Sequence, residues 1–559
     1  MSDRPTVTPH PVAAFPAPGP LPADLPDLLG RLAHRDPDAT VVLDTAPDGT
    51  THPVTRGELW RRVRALAEEL HEHGIGPGDA VAVWMPNWSD ALVWQFAVAA
   101  RGAHVVGVNT RYGTEESGHV LGRARPKLVA LAHGFHGLDL LERLRAAVEH
   151  SGVVPEVAVV TGPFGAASDG AEPDPAAGDV GAGAWTPRRH DGPEPARCDP
   201  AALAVAFTTS GSTGLPKLAA HSGTAVLTHA AADAAVLGLA EGDVVLGALP
   251  LSGVYGFNAV MAGLAAGAVV LLEPTFDADR VLDHIAAHRV THVGAGDDLV
   301  LRLREAHERR PRDLSSWRWW GVADFQGRSH ELAAWLGDEA GTQVSGVYGS
   351  SEVFALTAAW PADEPPPTRW IGGGRVVHPD IAVRVVDPDT EAVLGPGREG
   401  EIQFRGPNVV DAYLGADSPD VWTADGWFRS GDLGVLVDDG AFAYVCRRGD
   451  ALRLRGFLVD PAEIELRLAA HPDVGTAKVV GVEGADGATT AVGFVVGAAG
   501  RTPAGDDLVA WCRAALAGFK VPAAVHVVDA MPTTSGTNGT KIKAAELRRW
   551  ATEWAPERS

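Results

Sequence analysis

The segment Thr208-Thr209-Ser210-Gly211-Ser212-Thr213-Gly214-Leu215-Pro216-Lys217 has the composition to hold an anion. Gly211 and Gly214 let the backbone bend and approach a ligand closely. Successive N–H groups in such a turn form a concave anion site, and the hydroxyls of Thr209, Ser210, Ser212 and Thr213 add donors. Lys217 supplies a mobile point charge. The spacing GxxxxGK[ST] is absent, so this is not the phosphate loop of that pattern. A plain Ser/Thr/Gly surface loop would read similarly, but lysine usage separates the two. Only six lysines (127, 217, 478, 520, 541, 543) stand among 47 basic residues, and one of them closes this loop. Phosphate binding is the better reading.

The elements that must position the loop alternate. The apolar run Ala202–Thr208 leads into it as a strand. Upstream, Thr55 and Glu58 form a capping box, with Leu59, Val63, Leu66 and Leu70 on one face of a helix over 55–72. Ala80–Met85 and His104–Val108 read as strands flanking a helix near 89–101, a βαβ pattern. Strand–helix alternation resumes at 202 and runs to about 360. From 375 the runs shorten into hairpins (RVVHPDIAVRVVDPD, EGEIQFRG, GVLVDDGAFAYV), a β-rich subdomain. After 450 a small α+β unit follows, with helices over 461–470 and 506–516 and strands over 476–482 and 491–496. Residues 1–24 are a Pro-rich tail. Residues 161–200, rich in Gly, Ala, Pro and Asp, read as a surface excursion or linker.

Five motifs in order resemble those of the adenylate-forming superfamily of acyl-CoA synthetases, luciferases and peptide-synthetase adenylation domains. They are the loop above, Tyr348-Gly349-Ser350-Ser351-Glu352, Trp427-Phe428-Arg429-Ser430-Gly431-Asp432-Leu433, the stretch Arg447-Arg448-Gly449-Asp450 to Glu465, and Gly539-Thr540-Lys541-Ile542. The likeness extends from about residue 30 to 550, and leans towards bacterial fatty-acid–CoA ligases. It implies an α/β fold: a large N-terminal domain (25–449) of doubly wound sheets with a β-rich subdomain, and a small mobile α+β domain (450–559) turning about a hinge at Asp450.

The resemblance also implies a reaction and its residues. A carboxylate attacks the α-phosphorus of ATP, pyrophosphate leaves, and a thiol, usually that of coenzyme A, displaces AMP. Thr209 to Gly214 with Lys217 would hold phosphates, and Gly349 and Ser351 would belong to the nucleotide site. Tyr348 would lie against adenine. Asp432 would accept from the ribose hydroxyls, and Arg447 would add a ribose or phosphate contact. Glu352 would bind Mg2+, a hard cation suited to carboxylate and phosphate oxygens. Lys541 would bridge the attacking carboxylate and the α-phosphate, placing positive charge where negative charge develops. Lys543 is its competitor.

Two segments depart from the family pattern. Gly253, in Pro250-Leu251-Ser252-Gly253-Val254-Tyr255, stands where acyl-CoA synthetases carry a histidine. Asp297 and Asp298 stand in GAGDDLV, where a Gly-Val-Pro-Thr-like run is common; they could face a substrate amine or cap the next helix. The leading expectation is an acid–CoA ligase for a medium, long-chain or aromatic acid. The alternative keeps the adenylate and changes the acid or acceptor: carrier-protein loading, or nitrite activation for diazotisation of an aromatic amine.

Composition narrows the rest. Lys+Arg 47 against Asp+Glu 71 gives a net charge of −24, which argues against nucleic acid or an anionic membrane surface as partner. Cys198, Cys446 and Cys512 are too few and scattered for a disulfide framework. The 21 histidines show no zinc-ligand spacing. Asp387-x-Asp389-x-Glu391 lacks the glycine of a calcium loop and reads as a turn. Trp317–Trp320 reads as packing. With no signal-like segment and no apolar run near 20 residues, the expected location is cytoplasmic.

Overall fold

The structure is a computed structural model that describes residues 8–163, 183–187, 191–209, 217–325, 327–415, 421–448, 452–454, 457–459, 461–483, 489–516, 518, 520–536 and 539–554. Two large sheets dominate. The first has eight strands. In spatial order they run from Ala412–Tyr413 through Leu218–Ser222, Leu203–Thr208, His104–Gly107, Ala80–Trp84, Leu128–Ala132 and Glu156–Val160 to Ala184–Trp185. Its centre is parallel, as the βαβ pattern requires. Leu203–Thr208 pairs antiparallel with Leu218–Ser222, so the hydroxyl-rich loop is the connection of a hairpin.

The second sheet has fourteen strands. A parallel half contains Val244–Gly247, His292–Gly296, Trp319–Ala323 and Gln343–Ser350. At Gln343–Ser350 the pairing turns antiparallel, and Phe354–Ala359, Gly373–Val376, Ala441–Arg447, Phe428–Asp438, Glu399–Arg405 and Ala382–Val386 continue it. These are the expected β-rich hairpins. A third sheet, built on Val474–Glu483 and Thr489–Gly497, belongs to the C-terminal unit.

Local sequence explains the elements around the core. The helix Arg56–Glu72 starts where Thr55 accepts a hydrogen bond from the Glu58 N–H, and it buries Leu59, Val63, Leu66 and Leu70. Trp317, Trp319 and Trp320 are buried. The indole of Trp317 donates to Trp319 O and that of Trp320 to Ala295 O, so the cluster is core. Removing either fully buried ring would cost about 3–5 kcal/mol. The Asp387 carboxylate accepts from the N–H groups of Asp389 and Thr390, a turn as expected.

Two segments are more firmly held than composition suggests. In the Gly/Ala/Pro-rich stretch, read as an excursion or linker, Ala184–Trp185 adds a strand to the edge of the first sheet. Trp185 stacks on His73 at 4.1 Å. Beyond it, Glu194 accepts from Trp60 Nε1 and Arg64 Nη1, and Arg197 pairs with Asp27. In the Pro-rich tail, Val12 is buried with Trp360 and Val437, its N–H donates to Asp438, and its carbonyl accepts from Arg375. Apolar anchors a few residues long are invisible in a composition average. No helix of the described residues is long and apolar enough to cross a membrane.

Candidate active site

The loop neck and the Tyr348–Glu352 turn meet where the two large sheets adjoin. Thr209 N–H donates to Lys217 O at 2.9 Å, and Lys217 N–H donates to Thr209 Oγ1 at 3.3 Å, which closes the neck. Ser210 to Pro216, with Ser210, Gly211, Ser212, Thr213 and Gly214 among the expected phosphate ligands, lie outside the described residues. Ser351 Oγ donates to Thr208 O at 3.1 Å, and His221 Nε2 donates to Ser351 O at 2.7 Å. These bonds join one sheet to the other. They put the neck beside the end of Gln343–Ser350, where the sheet changes from parallel to antiparallel; crevices at the carboxyl ends of strands are where such sheets take ligands.

Around this junction the charged groups converge. The Lys217 ammonium lies 5.5 Å from the centre of the Tyr413 ring. Burial, with the Glu352 carboxylate second, pushes the Tyr413 hydroxyl well above its ordinary pKa. Glu352 is half-buried, its N–H donating to Ser350 Oγ and its carbonyl accepting from Val410 N–H. Gly349 has no room for a side chain, since a Cβ there would stand 2.4 Å from Phe354 O.

Asp432, in the strand Phe428–Asp438, lies close enough to this turn for the Glu352 carboxylate to act on its own carboxylate. Its register partner in the antiparallel pair is Arg447. One carboxylate oxygen accepts from Tyr348 OH at 2.5 Å, and its N–H donates to Ser430 Oγ. The other oxygen is buried, accepts no hydrogen bond among the described residues, and sits 3.0 Å from Arg447 Nε. Burial raises the Asp432 pKa, opposed by Arg447 and by the Tyr348 hydroxyl. Tyr348 is itself buried among Phe404, Phe442 and Tyr444, with ring centres 5.1–5.8 Å away. Its hydroxyl is pushed up by burial first and by Asp432 second. The tyrosine is therefore part of the aromatic core and also orients Asp432.

Lys541 lies in the strand Gly539–Ile542, opposite Thr534 in an antiparallel hairpin. That strand runs against the helix Asp297–Arg309 of the second sheet's domain. Leu466, on the helix Pro461–Ala469, approaches Gly327 of the same region. Lys543 lies 4.0 Å from Glu546 and serves its own helix. Asp450 is outside the described residues.

The departures take definite forms. Gly253 is the N-cap of Val254–Ala266 and makes no side-chain cap. Asp297 opens Asp297–Arg309 but does not cap it; Gly296 holds that place. The Asp297 carboxylate instead accepts from the N–H groups of Phe325 and Arg328, tying the helix to the loop after Trp319–Ala323. Burial, then Asp324, pushes its pKa up to about 7.

Sequence reasoning missed Tyr112, whose hydroxyl lies 2.7 Å from Thr208 Oγ1, and also Tyr413, Tyr444 and His221. Tyrosine usage carries the same signal as lysine usage. Only five tyrosines occur beside 16 tryptophans and 15 phenylalanines, and Tyr112, Tyr348, Tyr413 and Tyr444 all stand here.

A carboxylate, a lysine and a buried acceptor gathered where the two large sheets adjoin are the groups expected of an adenylate-forming enzyme. Comparison with known proteins agrees. Residues 29–414 match the "AMP-binding enzyme" family and 463–537 match "AMP-binding enzyme C-terminal domain". Feruloyl-CoA synthase from Amycolatopsis sp is 33% identical over 93% of this chain and 97% of its own length. 4-Coumarate–CoA ligase 2 from Oryza sativa subsp. japonica is 30% identical over 92% of this chain and 90% of its own. The crystal structure of ATP-bound MatB from Rhodopseudomonas palustris superposes with a TM-score of 0.78 at 25% identity, covering 94% of this chain and 99% of MatB. The chain belongs to the AMP-binding enzyme family, and it is an adenylate-forming acid–CoA ligase.

Proposed function

We propose that the chain activates an aromatic carboxylic acid as its adenylate and passes the acyl group to coenzyme A. In the first half-reaction a carboxylate oxygen bonds to the α-phosphorus and the bond to pyrophosphate breaks. In the second, the thiol sulfur bonds to the acyl carbon, its proton is lost, and AMP leaves. One observation carries the nucleotide assignment: the closed neck of the hydroxyl-rich loop meets Glu352 at a junction that also holds Asp432, with a buried oxygen short of a donor. The names of the feruloyl-CoA synthase and 4-coumarate–CoA ligase relatives support the aromatic acid.

Within this reading the Asp432 oxygen accepts from ribose, and half-exposed Arg447 offsets its charge. Thr209 to Gly214 and Lys217 hold phosphates of ATP. Glu352 would hold Mg2+. Among the described residues no three acidic, His or Cys side chains form a metal cage, which suits an ion that keeps waters and substrate phosphates as its other ligands. Bound there, Mg2+ would neutralise phosphate charge. Lys541 adds the positive charge at the α-phosphate as the acid attacks. Residues 450–559 are proposed to turn about Asp450 between the two halves, withdrawing Lys541 and admitting the thiol. The net charge of −24 and the absence of a spanning helix among the described residues support a cytoplasmic enzyme with small-molecule partners rather than nucleic acid.

Pyrophosphate release is the test, measured across aryl acids, fatty acids and nitrite, with coenzyme A, a carrier-protein thiol or an aromatic amine as acceptor. Release with aryl acids and thioester formation with coenzyme A are expected. Release with nitrite alone would replace the acid, and transfer only to a carrier protein would replace the acceptor.

A further inference from the structure

The turn bearing Glu352 is held mostly by donors distant in sequence. Five consecutive carbonyls, from Ser351 to Ala355, each accept a hydrogen bond. Ser351 O accepts from His221 Nε2 at 2.7 Å, and Glu352 O accepts from Val410 N at 2.6 Å. Val353 O accepts from Asn408 Nδ2 at 2.9 Å, and Phe354 O from Thr357 Oγ1 at 3.0 Å. Ala355 O accepts from His229 Nε2 at 2.8 Å and from Asn258 Nδ2 at 3.0 Å. A carbonyl only accepts, so each imidazole nitrogen facing one carries the proton.

The turn needs holding. Phe354 and Leu356 have φ of 62° and 64°, a left-handed conformation that bulky side chains disfavour and that persists only where neighbours over-determine it. His221 and His229 come from a strand and the helix after it, and Asn258 from a third element. All three side chains are buried. The rings of His221 and His229 pack on Phe354 with centres 4.2 and 4.9 Å away. Asp233, also buried, accepts from Asn258 Nδ2 and lies 3.3 Å from His229 Nε2, steadying both donors. Burial lowers both imidazoles to about 4, so both are neutral donors at physiological pH.

We propose that His221, His229 and Asn258 are positioning residues for the nucleotide half-reaction: they hold the turn Ser351–Leu356 in its left-handed form and thereby set Glu352 at the junction. This rests on the assignment of Glu352 to the ATP side. His221→Leu removes a donor and keeps bulk, whereas His221→Gln keeps an N–H. In His221→Leu the KM for ATP should rise on the order of 10- to 100-fold while the KM for the acid stays within about twofold. Amide exchange in residues 350–357 should quicken, and His221→Gln should recover most of both effects. Asn258→Ser, which weakens the far end of the clamp, should shift the KM for ATP in the same direction and serves if His221→Leu does not fold. Unchanged ATP kinetics, equal rises in both KM values, or a fall in Tm alone would overturn the proposal. Absence of pyrophosphate release from the unmodified enzyme would overturn the adenylation reading instead. AMP affinity by calorimetry would then still decide the clamp, being weakened in His221→Leu and restored in His221→Gln if the proposal holds, and equal in all three proteins if it does not.

Discussion

Around Glu352 the backbone is gripped by buried side chains from two helices, a strand and a loop. Lys541 sits in a two-stranded hairpin whose strand has Thr533–Gly536 on one side and the flank of Asp297–Arg309 nearby. The first arrangement is built by folding the large domain, and its geometry comes from interior packing. The second belongs to the C-terminal unit. The contrast matches the proposed division, in which the large domain binds the nucleotide and the C-terminal unit brings the chemistry. On that proposal one enzyme runs two half-reactions in one place: the nucleotide site stays, and Lys541 leaves.

The strongest test of that division is Lys541→Ala. It should lower pyrophosphate release by about 100- to 1,000-fold, the scale of one lost transition-state donor, and leave thioester formation from preformed adenylate largely intact. Equal losses in both halves would erase the distinction. On the fixed side, Asp432→Ala should raise the KM for ATP on the order of 10- to 100-fold, since a buried acceptor for a substrate hydroxyl and the charge partner of Arg447 go together. An unchanged KM in ATP titrations would remove Asp432 from the nucleotide site.

The two regions should also differ in acid. His221 and His229 titrate near 4 in the folded chain against about 6.5 unfolded, so the unfolded state binds more protons in between. Stability is therefore full above about pH 6.5 and falls as pH drops towards 4, by about 2 kcal/mol per histidine at pH 5. Buried carboxyls such as Asp233, pushed up by burial, work in the opposite sense, so the check is by difference: between pH 7 and pH 5, urea unfolding should show a larger loss in the unmodified chain than in His221→Gln. The Lys541 hairpin carries no histidine and should not share the effect. The smallest change is expected from Tyr413→Leu. Loss of the face under Lys217 should raise the KM for ATP about two- to fivefold and leave the KM for the acid alone.

Much of the candidate site is legible because its residues come in short, ordered strings. The Thr208–Lys217 loop, the Tyr348–Glu352 turn and Asp432 each carry their chemistry in a few consecutive positions, and the alternating strands that hold them have clear periods. What supports Glu352 was not legible. His221, His229, Asn258 and Asn408 are single residues at unrelated spacings, and only the folded topology brings them to one turn. Tyr348 has a role that no short string reveals: packing surrounds its ring with Phe404, Phe442 and Tyr444 and turns its hydroxyl to Asp432. In the Gly/Ala/Pro-rich stretch, Trp185, Glu194 and Arg197 are anchors that composition averages away.

Acid-dependent exchange of labelled pyrophosphate into ATP tests the central claim most directly, because it requires only the first half-reaction. With an aryl acid and magnesium, label should enter ATP at a rate set by the acid and should vanish in Lys541→Ala. Cleavage of ATP to ADP and phosphate, or exchange that ignores the acid, would contradict the account.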